Sequence, residues 1–297
     1  MPPTVLSDLP PGPEDVEPAV ESLLDVVEPL ALAADRRLNP NRWVLSPRYE
    51  NITNAFASTQ DALHWYDANA GLVRACVRIA YETGRNELAW TLCEGMWAWL
   101  HIRKPWHTWR LTHEVGLEAA KQCDAAPQAR MYSALGALHM WQDRLDEAER
   151  LHVRARALWI AAEHLLGQAS GLESLGVIAL KRGHPVTARG HFREAQHLFS
   201  EQGRERGVVL MERRLGESFR DTGDHATAEE YLRGALDWFR AAGEDYPVVR
   251  TSRSLALALQ AQGRQKEAQG VLAQARDLAE SIGADTDAAE LSCLMQG

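Results

Sequence analysis

Apolar residues recur along most of this chain at steps of three and four, with short polar breaks between the runs. From about Gly207 to Gly243, Leu210, Met211, Leu215 and Phe219 form one stripe on a helix of 3.6 residues per turn. Asp221-Thr222-Gly223-Asp224 then breaks the stripe. Gly223 stands where a helix C-terminus takes a left-handed residue, and Asp224 where the next helix takes an N-cap. A second stripe follows in Ala228, Leu232, Ala235, Leu236 and Phe239. The pattern predicts a helix, a tight turn and an antiparallel helix.

The same pair is copied. Leu135, Leu175, Leu215 and Leu255 stand at intervals of 40, as do Ala148, Ala188, Ala228 and Ala268, and Ala155, Ala195, Ala235 and Ala275. Glycine follows the first three leucines at Gly136, Gly176 and Gly216, and Gly183, Gly223 and Gly263 mark the breaks. A fixed period of this length signals a solenoid of stacked supersecondary units. Small residues at Gly216, Ala228 and Ala235 would let neighbouring helix axes approach closely. The expected class is all-α, an α-solenoid of antiparallel helix pairs, and one elongated body.

These columns resemble the tetratricopeptide repeat, which implies a right-handed α-solenoid. The second copy matches best, with Leu175-Gly176, Ala179, Gly183, Ala188, Phe192 and Ala195, although Ala179 is small where the family prefers tyrosine. The period of 40 exceeds the family's 34, which implies longer helices or longer connections. The first copy has Asp143 in its turn and His152 at the Phe192 position, and the fourth has Ala256 in place of glycine.

The boundaries read as a disordered, proline-rich tail over 1–18, an N-terminal helix and extended linker over 19–56, degenerate helical repeats over 57–126, four repeats over 127–284 and a capping helix over 285–297. Within 57–126, Thr59 to Asn69 and Leu72 to Glu82 read as two helices, and Leu88 to His101 with Trp106 to Gln122 as a pair. From about Val20 onward the chain also resembles the helical-repeat arms of bacterial STAND-type regulators. The residues that carry this are Ala33-Ala34-Asp35-Arg36-Arg37-Leu38-Asn39-Pro40, Ala62-Leu63-His64-Trp65, Gly71-Leu72-Val73, Gly84 to Trp90, Trp106-His107-Thr108-Trp109 and Gly116-Leu117. The resemblance implies a sensing or partner-binding arm in transcription or signalling. The family's phosphate loop is missing: the lysines are Lys104, Lys121, Lys181 and Lys266, and none ends a Gly-x-x-x-x-Gly-Lys run.

Composition narrows the function. A net charge of −9 over 297 residues argues against general nucleic-acid binding. No apolar run approaches a membrane span and the first thirty positions do not form a signal peptide, so a cytoplasmic location is expected. Cys76, Cys93, Cys123 and Cys293 are far apart and read as structural thiols, without a metal site or cofactor. His101, His107 and His113 are spaced by six, which does not converge on one helix. His152 shares a column with Phe192, Leu232 and Leu272 and reads as core. No nucleophile and base arrangement stands out, so the expectation is a non-enzymatic protein.

Two candidate sites remain. In the tetratricopeptide fold the first helix of each unit lines the concave groove. The resemblance assigns to it the columns Ser133, Glu173, Arg213, Arg253; Arg130, Ser170, Leu210, Arg250; and Met140, Leu180, Arg220, Gln260. Arg213, Arg220, Arg250 and Arg253 would then gather on one wall, with Glu173 beside them, suited to an acidic protein segment or another anion. The competing reading is a solvated face with Glu173, Glu212 and Glu217 as ion-pair partners. The second candidate is an aromatic pocket from Trp90, Trp97, Trp106 and Trp109, for a small molecule or peptide anchor. Such indoles more commonly fill a core. The expectation is a scaffold binding a protein or peptide partner, an acidic one where the arginine columns make the contact, with no direct nucleic-acid or membrane contact. The alternatives are a small-molecule-sensing arm or, last, an enzyme on this scaffold.

Overall fold

The structure is a computed structural model and describes residues 13–296. Most of the expected N-terminal tail lies outside the described residues. Helix α1 spans Pro13–Leu38, beginning inside the stretch expected as tail; proline is well suited to a first helical position, where its missing N–H has no helical partner to lose. Residues 39–58 follow with only a 3-10 turn at Pro47–Tyr49. Then come α2 (Thr59–Glu82), α3 (Asn86–Gly95), α4 (Trp97–Arg103) and α5 (Trp106–Ala120). The expected break within α2 is absent: Gly71 stays helical, capped instead by the Ser58 and Asp61 capping box at the start of one long helix. Helices α3 and α4 are one rod broken at Gly95-Met96. The Tyr66 hydroxyl bonds to the Gly95 carbonyl and Arg42 donates to that of Glu94, so these acceptors are satisfied outside the helix.

From residue 125 the molecule is metrically regular. Helices α6 (Ala125–Trp141), α7 (Leu145–Ala161), α8 (Leu165–Lys181), α9 (Pro185–Glu201), α10 (Glu205–Asp221), α11 (His225–Ala241), α12 (Asp245–Ala261) and α13 (Gln265–Ser281) each have 17 residues. Helix α14 (Asp285–Gln296) ends the array. Positive φ falls every 20 residues, at Asp143, Glu163, Gly183, Gly203, Gly223, Gly243, Gly263 and Gly283. Each such residue is followed by an amide donating back to the first residue of a six-residue turn, as His184 N to Ala179 O at 2.9 Å and Glu244 N to Phe239 O at 3.0 Å. The turns within a pair and between pairs are therefore the same turn. Longer helices, not longer connections, make the period of 40.

Packing explains the small residues. A Cβ on Gly136, Gly176 or Gly216 would meet His152, Phe192 or Leu232, respectively, at 2.7, 2.4 and 2.8 Å. The glycine is the hole and the residue sixteen positions later is the knob. A second set joins consecutive pairs: Gly167 faces Trp159 and Gly207 faces Phe199. Leu135, Leu215 and Leu255 are buried, whereas Leu175 is half-exposed, so the repeat's defining leucine is not uniformly core. Gly176→Ala should lower stability by about 1–2 kcal/mol, because overpacking against Phe192 exceeds the gain in helix propensity. Gly190→Ala, on α9 with nothing near its Cβ, should raise stability by about 1 kcal/mol. Urea melts of both variants check the contrast; equal shifts would break the knob-in-hole account.

The body is not elongated. The array curls until its end meets its beginning: Lys104 Nζ lies 2.8 Å from Asp287 Oδ2, both buried, and Arg103 donates to the Gly283 carbonyl. Tyr246 on α12 donates to the His101 carbonyl at 3.0 Å. Equal helices with equal turns repeat one rotation at each step, and that rotation accumulates into closure. No helix among the described residues is long and apolar enough to cross a membrane.

Candidate binding site on the concave face

The extended segment after α1 runs across the inner face of the array. Asn41 Nδ2 donates to Glu244 Oε1 at 2.9 Å, a contact 203 residues apart in sequence. The Trp43 indole donates to Ser170 Oγ at 3.0 Å, lies edge-on to Trp159 at 5.9 Å, and carries the Arg130 guanidinium 3.7 Å above its ring. The backbone amides of Leu45 and Ser46 each donate to one oxygen of Glu94 at 2.9 Å. Glu94 also pairs with Arg130 at 3.0 Å, and Arg42 pairs with Asp35, all four residues being buried. A strap from Asn39 to Ser46 is thus fixed by helices α3, α6, α8 and by the residue before α12.

Beneath the strap is a cavity of about 560 Å³. Its walls alternate in character. Trp97, Met140, Trp141, Phe199, Leu210, Trp238 and Tyr246 give apolar surface, and Arg36, Arg42, Arg130, Lys181, Arg204, Arg206, Arg213, Arg214 and Arg250 outnumber Glu173, Glu205 and Glu244. This excess of cations stands inside an acidic protein. Most are committed: Arg214 holds Glu173 and Glu217 at 3.2 and 3.0 Å, Arg206 holds Glu244 at 2.8 Å, and Lys181 holds Asp143 at 2.9 Å. Arg213 is different. It is 2% exposed, its Nε has no hydrogen-bond partner, and among the described residues no carboxylate forms an ion pair with it. Burial, with Arg214 and Arg250 nearby, pulls its pKa down to about 9, still cationic at neutral pH. Burial would raise Glu217, but Arg214, Arg213 and Arg250 outweigh it and hold this carboxyl well below the usual range.

A tetratricopeptide-repeat model matches residues 127–200 and 208–281. Both segments are tetratricopeptide repeats. Among solved structures, a Rap protein complexed with competence and sporulation factor aligns with 94% of this chain and 70% of its own at 12% identity, with a TM-score of 0.62. BtubC (BKLC) from P. vanneervenii aligns with 74% of this chain and 92% of its own at 19% identity, TM-score 0.54. A STAND protein with a tetratricopeptide repeat sensor from Pyrococcus horikoshii aligns over 96% of this chain and 55% of its own at 13% identity, TM-score 0.51. Likeness at these identities establishes the solenoid fold. No curated protein matches the sequence.

The first helix of each tetratricopeptide pair supplies the inner face. Arg130, Ser170, Leu210 and Arg250 all line the cavity, as do Ser133, Glu173 and Arg213. Arg253, in the last repeat, instead faces α14 and lies 3.5 Å from Glu290. Arg220 pairs with its neighbour Asp221 at 2.7 Å and lies outside the cavity lining. The structure therefore brings Arg213 and Arg250 together with Glu173 and sets the other two apart. Glu173 and Glu217 pair with Arg214, which the columns did not single out. Of the tryptophans, Trp97 lines the cavity, Trp109 is fully buried, Trp90 is buried and Trp106 is half-buried, stacked on Trp109 at 6.2 Å. They form no common pocket. Sequence reading missed Tyr246, Arg206 and the strap; a tryptophan and an arginine inside a supposed linker were the available signal.

His101, His113 and His152 are buried and serve packing. His101 Nδ1 meets the Trp97 carbonyl at 2.8 Å, His113 Nδ1 that of Trp109 at 3.1 Å, and neither His152 nitrogen has a partner. Burial pushes them down to about 3, 4 and 4. Because each is depressed in the fold, the unfolded chain takes up protons first, from about 6.5 downward. Stability should therefore fall as pH drops from about 6.5 toward about 4, and His152→Phe should remove part of that fall and raise stability at neutral pH by about 1 kcal/mol. Denaturant melts at pH 7 and pH 4.5 test this; a parent with flat stability across the window would contradict it.

Proposed function

We propose that the protein is a non-catalytic helical-repeat scaffold that binds an extended protein or peptide segment on its concave face, in transcriptional or signalling regulation. One observation carries the reading: the concave face already holds an extended segment, its own. Residues 39–46 are bound as a partner would be, with backbone amides taken by Glu94, an indole anchored between Arg130 and Trp159, and a side-chain amide on Glu244. The cationic lining favours an acidic partner. The resemblance to STAND-type arms, and a Rap protein bound to competence and sporulation factor, support a regulatory setting.

The test is a random peptide library panned on the parent chain and on Trp43→Ala, which loosens the strap. Enriched peptides should be rich in Asp and Glu, bind Trp43→Ala about tenfold tighter than the parent because the strap no longer competes, and lose binding in Arg250→Glu. Libraries that yield nothing above blank resin on either protein would end the proposal.

A further inference from the structure

The strap covers the cavity without filling it. What lies beneath has the size of a small-molecule site and is lined by aromatic and aliphatic side chains with a few convergent polar groups. Arg213 is the decisive group. Among the described residues no carboxylate pairs with it directly: Glu173 is held by Arg214, Glu217 by Arg214 and the Ser254 hydroxyl, and Glu244 by Arg206 and Asn41, while Glu205 of the lining forms no ion pair, so Glu217 and Glu173 act on Arg213 only through space. A buried cation without a hydrogen-bonded counter-charge is poorly compensated and gains from any anion that can reach it. Arg250, one repeat along, makes no ion pair among the described residues and lies with its guanidinium 4.7 Å from the Trp141 ring. Two free guanidinium forks therefore border a chamber walled by Trp97, Trp141 and Tyr246.

We propose that this chamber is a binding site for a small organic anion, an aromatic or aliphatic body bearing a carboxylate or phosphate, whose charged end is held by Arg213 and Arg250 and whose body lies against Trp97 and Trp141. Forked donors match planar or tetrahedral oxyanions, and the anion would give Arg213 the direct partner that the fold does not supply. The chamber shares Arg250 and part of its lining with the peptide reading but does not rest on it, since it is present with the strap in place.

Calorimetry and thermal melting on the full chain decide it, with indole-3-acetate, octanoate and phenyl phosphate as probes. Each is paired with its neutral counterpart, indole-3-acetamide, octanamide and phenol, and inorganic phosphate is run alone. At least one organic acid should bind once per chain and raise the melting temperature, with its neutral counterpart weaker by about tenfold or more, as loss of charge-assisted hydrogen bonds requires. Arg250→Gln and Arg213→Met should each weaken that acid by about tenfold or more, while Arg253→Gln leaves it unchanged. Arg213→Met should also raise the melting temperature of the unliganded protein, since it removes a buried charge with no direct partner; a merely structural arginine would lower it. No binding by any organic acid, equal binding of the neutral counterparts, or inorganic phosphate binding as tightly as phenyl phosphate would each overturn the assignment. Arginine-dependent peptide binding without any response to the acids would overturn this site and leave the peptide reading standing.

Discussion

Replacing Glu94 by alanine should lower the stability of the protein by about 3–5 kcal/mol, the amount typical of breaking a buried ion pair by removing one partner. The side chain is 2% exposed and serves four groups at once. Its two oxygens accept the amides of Leu45 and Ser46 at 2.9 Å, and it lies 3.0 Å from Arg130 and 3.8 Å from Arg42. Without it, two guanidinium groups lose a buried counter-charge and two strap amides lose their acceptors. Asp35 still compensates Arg42, so Arg130 is the residue left most exposed to the loss. Glu94→Gln keeps one acceptor for the strap and should cost less than Glu94→Ala. Chemical denaturation of both variants gives the comparison, and a loss under about 1 kcal/mol for the alanine would mean that the strap is held by something else.

Trp43→Ala should cost about 3 kcal/mol, toward the low end for a large aromatic because the ring is only half-buried. It removes the Arg130 stacking contact, the edge contact with Trp159 and the hydrogen bond to Ser170 together. The effect extends beyond stability. With its anchor gone the strap should exchange its Leu45 and Ser46 amide protons with solvent much faster, whereas the helices around it keep their protection. Amide exchange followed by mass spectrometry separates this local release from a general loosening; uniform loss of protection would refute the idea that the indole is a discrete anchor.

The solenoid could be read from the chain because its information is local and repeated. Leu-Gly, then alanine, then a large residue recur at 40, and the structure gives the reason: each Gly is cut to fit the ring or branch sixteen positions later. The finer beat of 20 was also printed in Gly183, Gly203, Gly223, Gly243, Gly263 and Gly283, but a search for copies of a pair finds the pair's period and not the half-period of its turns. Two inner columns could be placed by the resemblance to the tetratricopeptide repeat together with helical phase. Phase does not say what stands opposite a column: Arg253 meets Glu290 because α14 follows it, while Arg213 in the same register is buried at the wall of the cavity. The strap itself was not legible. Its partners lie 49 residues away at Glu94, 127 at Ser170 and 203 at Glu244, and each depends on a curvature that no single repeat encodes.

Closure of the array alters how it comes apart. In an open stack each unit touches only its neighbours, so the terminal units fray first and the middle outlasts them, as in a one-dimensional chain of coupled switches. Here the buried Lys104 and Asp287 pair joins the last helix to the first units, and Asn41 ties the strap to the final pair. Helix α14 cannot melt without stranding a lysine, and the strap cannot lift without breaking the Asn41 bond to Glu244. Coupling between distant units of this kind turns a graded unravelling into a single all-or-none transition, with the ends among the last parts to open.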